Sequence, residues 1–302
     1  MPALELLKRT NMALHSNPPV ATHNITTHGS DLDWAICALH ALLLLGVLGW
    51  AYLTAPRRRI FHYFALTILS VATIYYFIIA SDLGGVGVRG RQVFYARWVG
   101  YFVNFSQIMF ALLLLSGVGW ASILFTIALV MLWATLFLAG MFVRSTYKWG
   151  FFVIAVVLYF LVVWQTLGIA RSYARTIDTQ AHRVFTVLAG WELGLMLLYP
   201  IAWAVSEGAG CITNDAEQIF YSVLDVLSQD VFAVALLALS RTLDFDLLHL
   251  AFTEYGRIRE HVLDEKRAGA PQPRPGTTDS GVAGSDGAYQ ATTAAAAAGA
   301  AG

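Results

Sequence analysis

The chain has 302 residues and a formal net charge of zero, with 58% hydrophobic and only 13% charged residues and a mean hydropathy of +0.62. A soluble domain carries about 25% charged residues, so this composition is that of an integral membrane protein, and its neutrality argues against nucleic acid as a partner. Two cysteines, Cys37 and Cys211, are too few for a disulfide framework or a metal cage; with no phosphate-cradling glycine loop, zinc-protease or serine-hydrolase motif, no metal and no enzyme activity are expected.

Residues 1–32 hold Lys8, Arg9 and several histidines but no long apolar core of a signal peptide. They are expected to be an extracellular tail, with insertion directed by the first membrane helix. "NIT" at Asn24–Thr26 is a glycosylation acceptor. About 20 apolar residues cross a bilayer, and such a run is read as helix because lipid offers the backbone no hydrogen-bond partner. Seven runs qualify, at about 33–54, 61–82, 92–115, 119–142, 149–170, 184–205 and 216–240. They predict an all-α bundle of seven transmembrane helices over 33–245. Placing the N-terminus outside puts Arg57, Arg58, Arg59, Arg171, Arg175, Arg183 and Arg241 in the cytoplasm, against Arg89, Arg91, Arg144 and Lys148 on the outer side. The positive-inside rule therefore favours N-outside and C-inside. Helical apolar spacing with mixed charge predicts a cytoplasmic amphipathic helix over 246–267. The Pro-, Gly-, Ala- and Thr-rich 268–302 predicts a disordered tail.

Acids inside a bilayer are costly, and they usually face the bundle interior and find partners. In the third span Arg97 is followed by Tyr101, Asn104 and Gln107 at helical spacing on one face. The sixth carries Tyr199, Pro200 and Trp203, then Glu207 at the outer surface; the seventh carries Glu217, Tyr221, Asp225 and Gln229, each four residues apart. Arg97 and Asp225 are expected to pair, directly or through water. The same residues would also serve if they did no more than tie helices together. His40 and His62 read as packing residues, and Asp230 has no evident role at this level.

These residues resemble the microbial (type 1) rhodopsins, particularly the fungal opsins, over about 33–245. The resemblance is carried by "YARW" in the third span, "YPIAW" and "SEGAG" in the sixth, and "LDVL" in the seventh, with Glu217 and Asp225 following at matching spacing. It implies a bacteriorhodopsin-like fold. In that family a lysine four residues after the seventh-helix aspartate bears retinal as a Schiff base; here the position is Gln229, and an amide nitrogen is no such nucleophile. Lys8, Lys148 and Lys266 lie outside the helix centres. By the same resemblance the primary proton acceptor position is Gly100 and the proton donor position is Ala111. The slot tryptophans are replaced by Tyr101 and Met196, leaving Tyr101, Asn104, Met196, Pro200 and Trp203 as a vestigial pocket. Arg97, Tyr199, Glu207, Glu217 and Asp225 are the retained polar network.

The pattern is similar to fungal opsin-related proteins that lack the lysine, including yeast plasma-membrane proteins associated with stress. It implies a non-photochemical plasma-membrane protein with a regulatory, stress-related or chaperone-like role and no covalent retinal. Its expected partners are the bilayer and other membrane or cytoplasmic proteins, met through the helix faces or the C-terminal region; a homo-oligomer is compatible. Two other readings stay open: a receptor holding retinal or another apolar ligand non-covalently, and a passive proton or ion conductor through Arg97, Asp225, Glu207 and Glu217.

Overall fold

The computed structural model describes residues 11–17, 20–248 and 250. Among the described residues, a five-residue helix α1 (Met12–Ser16) precedes seven helices long and apolar enough to span a bilayer. These are α2 (Thr27–Leu53), α3 (Ile60–Ala80), α4 (Tyr95–Ser116), α5 (Trp120–Phe142), α6 (Lys148–Ile177), α7 (Thr179–Gly208) and α8 (Asn214–Ser240). The chain is thus an integral membrane bundle. Helix α4 is the most enclosed of the seven and α2 the least, so α4 forms the centre against which polar side chains converge.

Local chemistry sets the ends. Thr26, Asp178 and Thr213 cap α2, α7 and α8 by accepting backbone N–H bonds, from His28, from Gln180 and Ala181, and from Ala216. Gly117 (φ 66°) stops α4 in the left-handed conformation. Pro200 removes a backbone donor inside α7, and the helix is interrupted just before it at Leu197. Among the described residues, three stretches widen into π-helical turns: Trp164–Ala170 in α6, Ala204–Gly208 in α7 and Val226–Val231 in α8.

Several elements differ from the sequence-based expectations. Helix α2 begins at Thr27 rather than 33, α6 continues to Ile177, and α7 occupies Thr179–Gly208. Residues before Tyr95, expected as loop and the start of the third span, instead form a hairpin of β1 (Gly85–Val88) and β2 (Arg91–Phe94), paired from Gly85↔Phe94 to Val88↔Arg91. Arg89 and Gly90, both at positive φ, make the turn; its twist matches that of the strands. The tail before α2 is not free. His23 bridges in parallel to Arg91, Ile25 is buried and donates to Gln92 Oε1 at 3.0 Å, and Thr26 donates to the Asp215 carboxylate from its backbone (2.8 Å) and its hydroxyl (2.5 Å). This N-terminal strap closes the same end of the bundle as the hairpin. The helix expected over 246–267 and the tail 268–302 lie outside the described residues, apart from 246–248, which turn back on Asp244, and Leu250.

Candidate functional site

Glu217, Tyr221, Asp225 and Gln229 are all buried and form one inward stripe of α8, as their spacing of four predicts. The π-helical turn at Val226–Val231 adds something the spacing hides. It buries three consecutive side chains, Ser228, Gln229 and Asp230, which an ordinary helix would spread over about 200° at 100° per residue. Ser228 turns to α7, Gln229 to α3 and α4, and Asp230 to α2.

The network has two knots. Nearer the hairpin, Arg97 donates to Glu217 at 3.0 Å and to Gln218, and its guanidinium lies 4.2 Å from the Tyr221 ring centroid. Arg91 of β2 reaches the other oxygen of Glu217 at 2.6 Å, so one carboxylate is clamped between two arginines. Glu207, expected at the surface, is buried because Trp98 (3.2 Å), Tyr221 (3.0 Å) and Ser206 all donate to its carboxylate. Lys148 donates to the carbonyls of Glu207 and Gly208 where the π-helical turn of α7 ends. The direct pair expected between Arg97 and Asp225 does not form: Arg97 is spent on Glu217 and Gln218, one turn or more nearer the hairpin end.

Asp225 instead anchors the second knot, at the middle of the bundle. It accepts from three phenols, Tyr76 (2.7 Å), Tyr199 (2.8 Å) and Tyr101 (3.0 Å), and from Gln229 at 3.4 Å. Tyr199 also shares a bond of 2.8 Å with Ser228. The Gln229 amide is engaged at both ends. Its nitrogen donates to the Tyr75 hydroxyl at 2.8 Å and its oxygen accepts from Asn104 at 2.8 Å. Gly100 explains how Tyr75 gets there. A Cβ at that position would meet the Tyr75 ring at 2.3 Å, so the ring occupies the space a side chain on residue 100 would need.

Rings fill the remaining volume. Tyr199 lies 5.0 Å from Phe105 and 5.1 Å from Tyr101, and Phe105 lies 5.4 Å from Trp133. Trp203 stacks on Phe152 at 5.8 Å, and Met196 and Pro200 are buried beside them. Ala111 is buried among apolar neighbours of α4. The residues present do not fit a covalently held polyene aldehyde: the amide at 229 offers no amine, and rings in mutual contact line the interior around it. Asn24, the glycosylation acceptor, is half-buried, its amide donating to the Ala21 carbonyl at 2.6 Å.

Sequence reasoning missed several participants. Tyr75 and Tyr76 read as generic aromatics, Trp98 as part of a motif and Arg91 as a loop charge. A buried pair also escaped it: His40 Nδ1 lies 2.7 Å from Asp230 Oδ1, joining α2 to α8. The usable signal was that Asp230 and His40 each stand polar inside an apolar span, since such groups seek partners.

A family model described as "Bacteriorhodopsin-like protein" matches residues 32–243. Protein FDD123 of Trametes versicolor is 33% identical over 91% of this chain and 99% of its own length. The 30 kDa heat shock protein of Saccharomyces cerevisiae is 28% identical over 89% of this chain and 90% of its own. Among solved structures, the light-driven proton pump LR (Mac) from Leptosphaeria maculans is 26% identical with a TM-score of 0.70, covering 73% of this chain and all of that one.

Proposed function

The chain belongs to the bacteriorhodopsin-like family, and from that premise we propose that it is an opsin-related membrane protein that works without covalent retinal, in a regulatory, stress-related or chaperone-like role. The observation that carries this reading is the state of Gln229. Where the family resemblance places the retinal-bearing lysine, this chain has an amide bonded to Tyr75, Asn104 and Asp225. The substitutions are mutually consistent. The residue at the acceptor position is Gly100, and its missing side chain is what admits Tyr75, the partner of Gln229. The name of the yeast heat shock relative supports a stress-related role. The reading places the protein in the plasma membrane with the hairpin and strap outside and Arg57–Arg59 in the cytoplasm.

Purified protein incubated with all-trans-retinal, then denatured and treated with borohydride, is expected to show no visible band and no retinyl group on the chain. A band that survives denaturation, with retinal reduced onto the protein, would overturn the reading.

A further inference from the structure

A cavity of about 650 Å³ opens at the hairpin end of the bundle, between the strap, the hairpin, the start of α6 and the turn from α7 to α8. Its size is that of a small-molecule pocket, about 300–1,000 Å³. Three cations line it: Arg89 and Arg91 of the hairpin and Lys148 of α6. Lys148 is 7% exposed, and a charge so far removed from water is costly unless it is paired. It donates to the carbonyls of Glu207 (3.3 Å) and Gly208, which leaves one of its three N–H groups without a protein acceptor. The carbonyls of a helix end supply only about half a negative charge. Among the described residues no acid pairs with Lys148 or Arg89.

The two acids on the same walls are committed elsewhere. Both oxygens of Asp215 accept from Thr26, and the Glu207 carboxylate is held by Trp98, Tyr221 and Ser206. Arg91 divides Glu217 with Arg97. At this end Arg89, Arg91, Arg97 and Lys148 thus share one ion-paired carboxylate. The N-terminal end of α8 also reaches the wall, at Thr213 and Asn214, where the first N–H groups of a helix carry partial positive charge. The rest of the lining is largely apolar and includes Val93, Met141, Val143 and Ile212. A bare ion would leave most of that volume, and those walls, unused.

We propose that this cavity binds a small organic carboxylate that enters from the hairpin side. The carboxylate lies between Lys148 and Arg89 and accepts the N–H of Lys148 that the protein leaves over. The apolar body of the ligand rests on Val93, Met141, Val143 and Ile212. Phosphate or sulfate would satisfy the cations but not use these walls. The site involves neither position 229 nor the knot around Asp225, so it stands independently of the retinal reading.

The test follows Cys211, which is exposed and lines the cavity, whereas Cys37 is buried in α2. Full-length protein in detergent is labelled with a polar maleimide at rising concentrations of benzoate, benzamide or sulfate, at constant ionic strength. Benzoate is expected to slow the labelling of Cys211 several-fold and saturably. Benzamide has the same shape without the charge and is expected to leave the rate unchanged; sulfate is expected to protect several-fold less well than benzoate. Arg89 is exposed and in no ion pair, so Arg89→Gln is expected to melt as wild type does. It is expected to need about tenfold more benzoate, the scale of one charge-assisted hydrogen bond. Lys148→Gln is expected to lose protection; should that variant fail to fold, Arg89→Gln still decides. Absence of protection by benzoate overturns the proposal, as does equal protection by benzamide or by sulfate. So does an unchanged benzoate requirement in Arg89→Gln or in folded Lys148→Gln.

Discussion

The partner of Arg97 decides how mutations in the network combine. Its ion pair is with Glu217 at 3.0 Å, and Glu217 is shared with Arg91 at 2.6 Å. Removing one member of a buried pair costs on the order of 3–5 kcal/mol, because the other charge is left uncompensated. Glu217→Gln strands two guanidinium groups and is expected to lower the melting temperature in detergent more than Arg97→Gln, after which Arg91 still holds the carboxylate. In double-mutant cycles Arg97→Gln and Glu217→Gln are expected to couple strongly. Arg97→Gln and Asp225→Asn, which share no direct bond, are expected to add closely. A large Arg97–Asp225 coupling would argue that the two sites communicate through the intervening tyrosines. Gly100 supplies a second test. Gly100→Ala drives a methyl into the Tyr75 ring and is expected to cost about 1–3 kcal/mol, as overpacking does. Trimming the ring with Tyr75→Ala is expected to make the same change nearly neutral. If Gly100→Ala costs the same in both backgrounds, the ring is not what holds position 100 to glycine.

At the scale of elements, the helices were legible because lipid enforces them: seven apolar runs gave seven spans, with ends shifted by a few residues where Thr26, Asp178 and Thr213 supplied caps. The stripe of Glu217, Tyr221, Asp225 and Gln229 was legible for the same reason. The hairpin was not. Gly85–Phe94 is short and carries Arg89 and Arg91, so charge suggested loop, whereas the pairing depends on a turn at positive φ and on a third partner, His23, more than sixty residues upstream. Nor was the π-helical turn in α8, because nothing in "VLSQDV" distinguishes a wide turn from an ordinary one; that turn is what sends Asp230 to His40. The direct partner of Arg97 is Glu217 rather than Asp225, a difference that helical spacing hides because it gives a face but not depth. The strap gives a test at this scale. Asp215→Ala removes both acceptors of Thr26 and is expected to raise amide exchange across residues 20–26 by a factor corresponding to about 1–3 kcal/mol. Exchange elsewhere in the bundle should hardly change; a global rise would mean that Asp215 supports α8 rather than the strap.

For the molecule as a whole, the proposed orientation and the strap have a joint consequence for synthesis. Thr26 and Asp215 are 189 residues apart, and synthesis runs at roughly 5–20 residues per second. The N-terminal segment therefore waits on the order of ten to forty seconds before the last residue that fastens it exists, the hairpin contacts of His23 and Ile25 being available earlier. During that wait Asn24 and the Thr26 hydroxyl are free for a sugar-transferring enzyme. Once Asp215 arrives, the Thr26 hydroxyl is taken. On the proposed orientation, the glycan at Asn24 is expected to depend on a race between the transferase and the ribosome. Slowing elongation is expected to raise the glycosylated fraction, read as a mass shift removed by an endoglycosidase. Asp215→Ala, which removes that last fastening and leaves the hairpin contacts, is expected to make that fraction less sensitive to elongation rate.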